Sequence, residues 1–232
     1  RDVLGSRGLG DVYKRQVNFH RDYLDEARRY YTNIVGKYGT QVQAVLKKAA
    51  GLDIQMLLPL HGFVWRQDLG YILGKYDLWS RYEPEQRGVV IAYASVYGGT
   101  ENAANILACR LREQGVQVEM FDTSVTPASY ILAAAFRFSH VVLAAPTYNG
   151  GVFVTMENLL HDLTAHGLKG RRAAYIENGS WAPTSARGMQ KLLEPLNWET
   201  AADTVTLRSA LRQGQQEDLE RMAAQLAESV KA

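Results

Sequence analysis

The stretch Gly88-Val-Val-Ile-Ala-Tyr-Ala-Ser95-Val96-Tyr97-Gly98-Gly99-Thr100-Glu101 decides how this chain is read: an apolar strand runs into a hydroxyl- and glycine-rich turn and then into a helix. Backbone N–H groups left unpaired at a helix N-terminus converge on an anion, and Gly98 and Gly99 let the backbone come close without a Cβ in the way. Ser95 and Thr100 add hydroxyl donors. No Lys stands in the loop and the spacing is not Gly-x-Gly-x-x-Gly, so the signatures of nucleotide triphosphatases and of dinucleotide binding are both missing. The pattern points to a monophosphate. Its alternative is a bare strand-to-helix turn capped by Thr100.

Working downstream, strands and helices alternate. Strands are predicted at 88–94, 116–121, 140–145, 172–177 and about 203–208, with helices at about 100–114, 126–137, 153–165, 184–193 and 213–230. Met156, Leu159, Leu160 and Leu163 give one helix its apolar face, and Leu219, Met222, Ala223 and Leu226 give another. Continuous apolar strands such as 141–145 suit a parallel sheet covered on both faces. Five such units make a doubly wound α/β domain over 88–232, whose ligand belongs at the carboxyl ends of the strands.

Working upstream, apolar residues at Leu24, Ala27, Tyr31, Ile34 and Tyr38 predict a helix over Arg21–Tyr38. A second helix follows Gly39-Thr40 and stops at Gly51. Ile54–Leu58 is expected as a short buried strand closed by Pro59, and Gln67–Trp79 as another helix. The charged run 81–87, interrupted by Pro84, is the expected linker between a first domain at 17–80 and the α/β domain.

The composition is that of a globular chain: 232 residues, 47% hydrophobic, with 26 basic against 24 acidic side chains. A net charge of +2 is too balanced for a nucleic-acid footprint, and no apolar run approaches the length of a membrane span. The single cysteine, Cys109, excludes an internal disulfide or a Cys-rich metal site and fits a reducing cytoplasm. Beside Leu107 and Leu111 it reads as a small buried hydrophobe. The first Met is Met56, and 1–16, most clearly Asp11–Gln16, resembles translated sequencing-adaptor read-through, so the chain is expected to be a fragment.

Three loops should converge at the strand ends. Beside the 95–101 turn stand Ala145-Pro146-Thr147-Tyr148-Asn149-Gly150-Gly151 and Glu177-Asn178-Gly179-Ser180-Trp181-Ala182-Pro183, offering aromatic planes, flexible backbone and uncharged donors. That combination suits a flat ring with polar edges. In strand order, in the Ser-x-Tyr-Gly-x-Thr-Glu turn and in the Pro-Thr-Tyr-Asn loop, residues 88–232 resemble the flavodoxin-like FMN domain. The resemblance implies that Ser95, Val96, Tyr97, Gly98, Gly99 and Thr100 wrap the FMN phosphate. It implies that Pro146, Thr147, Tyr148, Asn149, Gly150 and Gly151 flank the isoalloxazine, with Asn178, Gly179, Ser180, Trp181 and Ala182 along its other edge.

Upstream, Glu26–Ile34 followed by Pro59-Leu-His61-Gly62-Phe-Val-Trp65-Arg66 is similar to the end of the metallo-β-lactamase-like domain of flavodiiron proteins, the A-type flavoproteins. That likeness implies that His61 is an iron ligand of a diiron site, whose other ligands have no match among His20, His140, His161 and His166. It further implies electron transfer from a small donor, such as a rubredoxin or a flavin reductase, through FMN to iron that reduces O2 to water or NO to nitrous oxide. Members of the family pair head to tail. The rival readings are a free-standing flavodoxin-like carrier or quinone reductase, and a non-enzymatic scaffold without FMN.

Overall fold

The computed structural model describes Phe19 and residues 23–232; the 1–16 segment, His20 and the start of the helix at Arg21 lie outside the described residues. Contacts divide the chain into two units between Glu83 and Pro84. Each unit has its own core.

The first unit is helical: α1 (Leu24–Ile34), a 3-10 turn (Gly36–Tyr38), α2 (Gly39–Ala49) and α3 (Leu69–Ser80). Asp25 and Glu26 in the first turn of α1 complement the helix dipole. Instead of running on to Tyr38, the helix ends at Ile34 and tightens, which leaves Ile34 and Tyr38 exposed. Tyr31 packs on Trp79 and Tyr76 with ring centroids 5.2 and 5.1 Å away. A Cβ on Gly39 would stand 2.3 Å from the Ser80 carbonyl oxygen, so the start of α2 lies hard against the end of α3. Gln43 Nε2 ties the pair by donating to Asp77 Oδ1 (2.8 Å) and Ser80 Oγ (2.7 Å).

Ile54–Leu58 is not the buried strand expected of it. Its pairing is one bridge, Leu57 with Trp65, and Met56 and Leu58 are 41% and 69% exposed. An apolar run becomes a strand only where a neighbour satisfies its backbone groups, and the unit has no assigned strand among its described residues to do so.

The second unit is α/β. Its strands are β1 (Gln86–Tyr93), β2 (Val118–Asp122), β3 (Phe138–Tyr148), β4 (Gly151–Val152), β5 (Arg172–Asn178), β6 (Glu199–Thr200) and β7 (Val205–Leu207). Its helices are α4 (Gly99–Glu113), α5 (Ala128–Arg137), α6 (Val154–His166), α7 (Ser185–Leu193) and α8 (Gln213–Lys231). The sheet order is β2-β1-β3-β5, with β6 and β7 both on β5, so the fifth strand position is filled by two short pieces. All of these pairs are parallel; only β4, folding back on β3, is antiparallel. After β1 the chain turns to β2 on one side and then to β3 on the other. The switch point, where strand ends diverge and a crevice opens, therefore lies between β1 and β3.

Strand alternation assigns the two faces. Val89, Ile91, Val142 and Ile176 pack against Leu107 and Leu111 of α4 and Leu219, Met222 and Leu226 of α8. Val90 and Phe138 face α5 through Ala134. Below α5, the fully buried Arg171 donates from Nε to the Ala135 carbonyl (2.7 Å) and from Nη2 to the Phe136 carbonyl (2.8 Å). A cation is thus set on the last carbonyls of a helix, which the helix dipole favours, while burial pushes the Arg171 pKa down to about 9.

Cys109 is exposed, contrary to the expectation of a buried hydrophobe. The buried face of α4 is Ala103, Ala104, Leu107, Ala108 and Leu111. Two residues past Leu107 is a turn of about 200°, which carries Cys109 round to the solvent side. Among the described residues no helix is long and apolar enough to cross a membrane.

Candidate functional site

At the carboxyl ends of β1, β3, β5 and β7 a cavity of about 460 Å³ opens. It is lined by Ser95, Val96, Tyr97, Gly99, Thr100, Pro146, Thr147, Tyr148, Asn178, Gly179 and Ser180, and also by Phe153, Ser209 and Ala210. Three loops far apart in sequence therefore converge as expected. Gly98, Asn149, Gly150, Gly151, Trp181 and Ala182 fall outside the lining, and Trp181 stands 92% exposed. The sequence reading missed Phe153, Ser209 and Ala210. Topology alone brings the loop after β7 to this edge of the sheet, but which of its residues line the cavity is set by contacts distant in sequence, and Phe153 enters just after the short antiparallel β4.

Each loop is held by local chemistry. Gly98, at φ +84, lets the chain turn from Ser95 into α4, and its N–H donates to Ser95 Oγ (3.1 Å). Gly98 rather than Thr100 is the N-cap residue, and no side chain caps α4, so its first-turn N–H groups are left for another acceptor. Thr100 lies two residues further on, at the second helical position, and is 2% exposed. In the second loop, Thr147 Oγ1 accepts the N–H groups of Thr184 (2.8 Å) and Ser185 (3.1 Å) at the start of α7. Ser185 Oγ donates to the Ala145 carbonyl (2.8 Å), and Tyr148 meets Phe153 edge-on at 5.6 Å. In the third loop, Glu177 Oε2 accepts the Ala186 N–H (3.1 Å) and Oε1 the Thr206 hydroxyl (2.9 Å), which ties β5 to α7 and β7.

None of the lining residues carries a charge. An anion here would be met by backbone N–H groups and hydroxyls, the donor set of a phosphate cradle without lysine. Tyr93, just below the turn, has its pKa raised by burial and by the nearby Glu101 and Asp122, so its phenol stays protonated. Gly99 is packed so closely that a Cβ would stand 2.4 Å from the Ser209 carbonyl oxygen. Hydroxyls at one end, and Tyr97, Tyr148 and Phe153 at the rim, fit a phosphorylated planar ring such as FMN.

His61 lies in the other unit. It is exposed, with its ring 5.4 Å from that of Tyr30, on the edge of an apolar cavity of about 600 Å³ lined by Tyr23, Val42, Leu46, Leu57 and Trp65 among others. Among the described residues no three His, Cys, Asp or Glu side chains are grouped to hold a metal ion. A dinuclear iron centre needs several converging imidazoles and carboxylates, so the residues present do not fit one.

No protein-family model matches the chain. Among curated relatives, the nitric oxide reductase of Moorella thermoacetica is 29% identical over 173 residues, 74% of this chain and 42% of that protein. The rubredoxin-oxygen oxidoreductase of Megalodesulfovibrio gigas is 23% identical over 100% of this chain and 58% of its own length. Among solved structures, the flavodiiron protein from Giardia intestinalis superposes with a TM-score of 0.82 at 22% identity, over 88% of this chain and 51% of that one. A flavodoxin from Streptococcus pneumoniae TIGR4 superposes with a TM-score of 0.54 at 24% identity, over 61% of this chain and 98% of that one. The chain spans about half the length, or less, of the curated relatives it matches. By sequence and by fold, flavodiiron proteins are among its homologues and structural neighbours.

Proposed function

We propose that residues 84–232 bind FMN in the cavity between β1 and β3, and that the chain serves an oxidoreductase of the flavodiiron kind. One observation carries the reading: an uncharged, donor-rich cavity with an uncapped helix N-terminus at one end and aromatic side chains at its rim, at the switch point of a doubly wound sheet. FMN when bound supplies one- and two-electron transfer. The chain's residues bind and orient it: Ser95, Thr100 and the first N–H groups of α4 hold the phosphate, while Tyr148 and the backbone of Gly179 and Ser180 border the ring.

The remaining features of the reading come with the resemblance to flavodiiron proteins. A small donor such as a rubredoxin, O2 or NO as acceptor, a diiron centre and head-to-tail pairing belong to the proposal as a whole, and His61 alone does not supply the iron site. A flavodoxin-like electron carrier is the second reading, favoured by a likeness that spans 98% of a flavodoxin.

The test is titration of the chain with FMN and with riboflavin, followed by flavin fluorescence. FMN should bind with quenching, and Thr100→Val should weaken FMN by about tenfold to a hundredfold, the worth of one hydrogen bond to a charged group, while riboflavin changes little. A folded chain that takes up no FMN overturns the reading. Iron content and NO- or O2-dependent oxidation of reduced flavin then separate the oxidoreductase from the carrier.

A further inference from the structure

Asn178 carries an assignment beyond that of a wall residue. Its side chain is 7% exposed and all of it is engaged. Oδ1 accepts the Ser209 N–H at 2.8 Å, and Nδ2 donates to the Ser209 carbonyl at 2.9 Å and to Thr100 Oγ1 at 3.3 Å. The orientation of the amide is not free. A backbone N–H can only donate and a carbonyl only accept, so the two groups of Ser209 dictate which end of Asn178 is oxygen and which nitrogen. The nitrogen is the end that meets Thr100.

That constraint passes on to Thr100. Its Oγ1 must accept from Asn178, and its hydroxyl proton has no acceptor among the described residues. The proton is therefore available to the cavity, beside the first N–H groups of α4. Ser209 is in turn held at φ +66, a backbone conformation that a serine adopts at a cost and that needs outside support. The Asn178 amide supplies that support, and a carbonyl so placed rests on Gly99.

We propose that Asn178 is a positioning residue for the phosphate end of the site: by gripping Ser209 it fixes the Thr100 hydroxyl as a donor into the cavity and sets selectivity for FMN over riboflavin. The inference rests on the FMN reading above and deepens it. Asn178 acts through Thr100 and need not touch the ligand itself.

The test is Asn178→Asp and Asn178→Ala in the full chain, titrated with FMN and riboflavin, alone and combined with Thr100→Val. Asp keeps the size and the acceptor for the Ser209 N–H but replaces the donor with an acceptor, so the Thr100 proton turns away from the cavity. FMN affinity should fall at least tenfold in Asn178→Asp and riboflavin affinity by less than about twofold. Asn178→Ala in the Thr100→Val background should cost FMN much less than it does in the parent, because the two residues act in series. Equal losses for both ligands, or additive losses for Asn178→Ala and Thr100→Val, overturn the proposal and leave Asn178 a purely structural residue. A parent chain that binds neither ligand overturns the FMN reading instead.

Discussion

The two units spend their apolar residues differently. In the α/β unit, the stripes on α4 and α8 close over the sheet, and Leu107, Leu111, Leu219 and Leu226 are fully buried. In the helical unit, α2 carries an equally regular stripe, yet Val45 is 64% exposed, and the following segment leaves Leu58 69% and Leu60 98% exposed. The local signals are alike and the outcomes are not. Periodicity says which side of a helix is apolar; only a facing layer decides whether that side is buried. The first unit instead gathers its rings, with Phe19, Tyr23, Phe63 and Trp65 in one cluster and Tyr31, Tyr76 and Trp79 in another.

The sharpest way to break this comparison is at Arg171. Replacing it with Met removes a buried cation and strands the carbonyls that close α5, so the α/β unit should lose about 3 kcal/mol or more. Hydrogen exchange resolved by peptide should show protection falling across β1, β3 and β5. An unchanged exchange pattern there would mean that the carbonyls find other partners.

Leu107→Ala and Val45→Ala compare the two stripes directly. The first opens a cavity under a closed layer and should cost about 3 kcal/mol. The second removes a side chain already in water and should stay within about 0.5 kcal/mol. Denaturant melts of the two variants check this, and similar losses for both would show that Val45 is covered in solution.

A further effect is set by pH. His140, 3% exposed on β3, shares its ring nitrogens with Ser139 Oγ (2.8 Å) and Ser229 Oγ (2.9 Å). Burial first, then the Arg172 and Arg87 guanidinium groups, push its pKa down to about 4. Between that value and the ordinary 6.5 the unfolded chain binds more protons than the folded one. The contribution of His140 is therefore complete above about 6.5, declines as pH falls towards 4, and changes no further below. His140→Gln should flatten this part of the stability profile, measured as melting temperature against pH; a parallel profile would place the acid sensitivity elsewhere.

Much of the α/β unit was legible in the sequence because its signals are local. Every helix and strand expected after residue 86 has a counterpart, since buried parallel strands and amphipathic helices declare themselves within one element. What was illegible depends on partners distant in the chain. Whether Ile54–Leu58 becomes a strand depends on a neighbour. The exposure of Cys109 depends on which side of α4 meets the sheet. At the site, the 95–100 turn was readable from its glycines and hydroxyls, whereas Ser209 was not, because its place follows from a contact with Gly99 more than a hundred residues away in sequence.

Arg87, at the foot of β1, donates from Nη1 to the backbone carbonyls of Lys231 (3.1 Å) and Val230 (3.4 Å) at the close of α8. The first strand of the α/β unit and its helix α8 thus meet at one spot. In a parallel sheet that spot is the amino edge, opposite the one where the cavity opens. A short linker from the close of α8 to the start of β1 would let the chain be cut afresh at a surface loop such as Gln114–Gly115, rearranging the order of the polypeptide with the cavity wall untouched. The unit is in that sense a cassette, one that can be spliced into another protein by its base while the edge with the cavity stays clear.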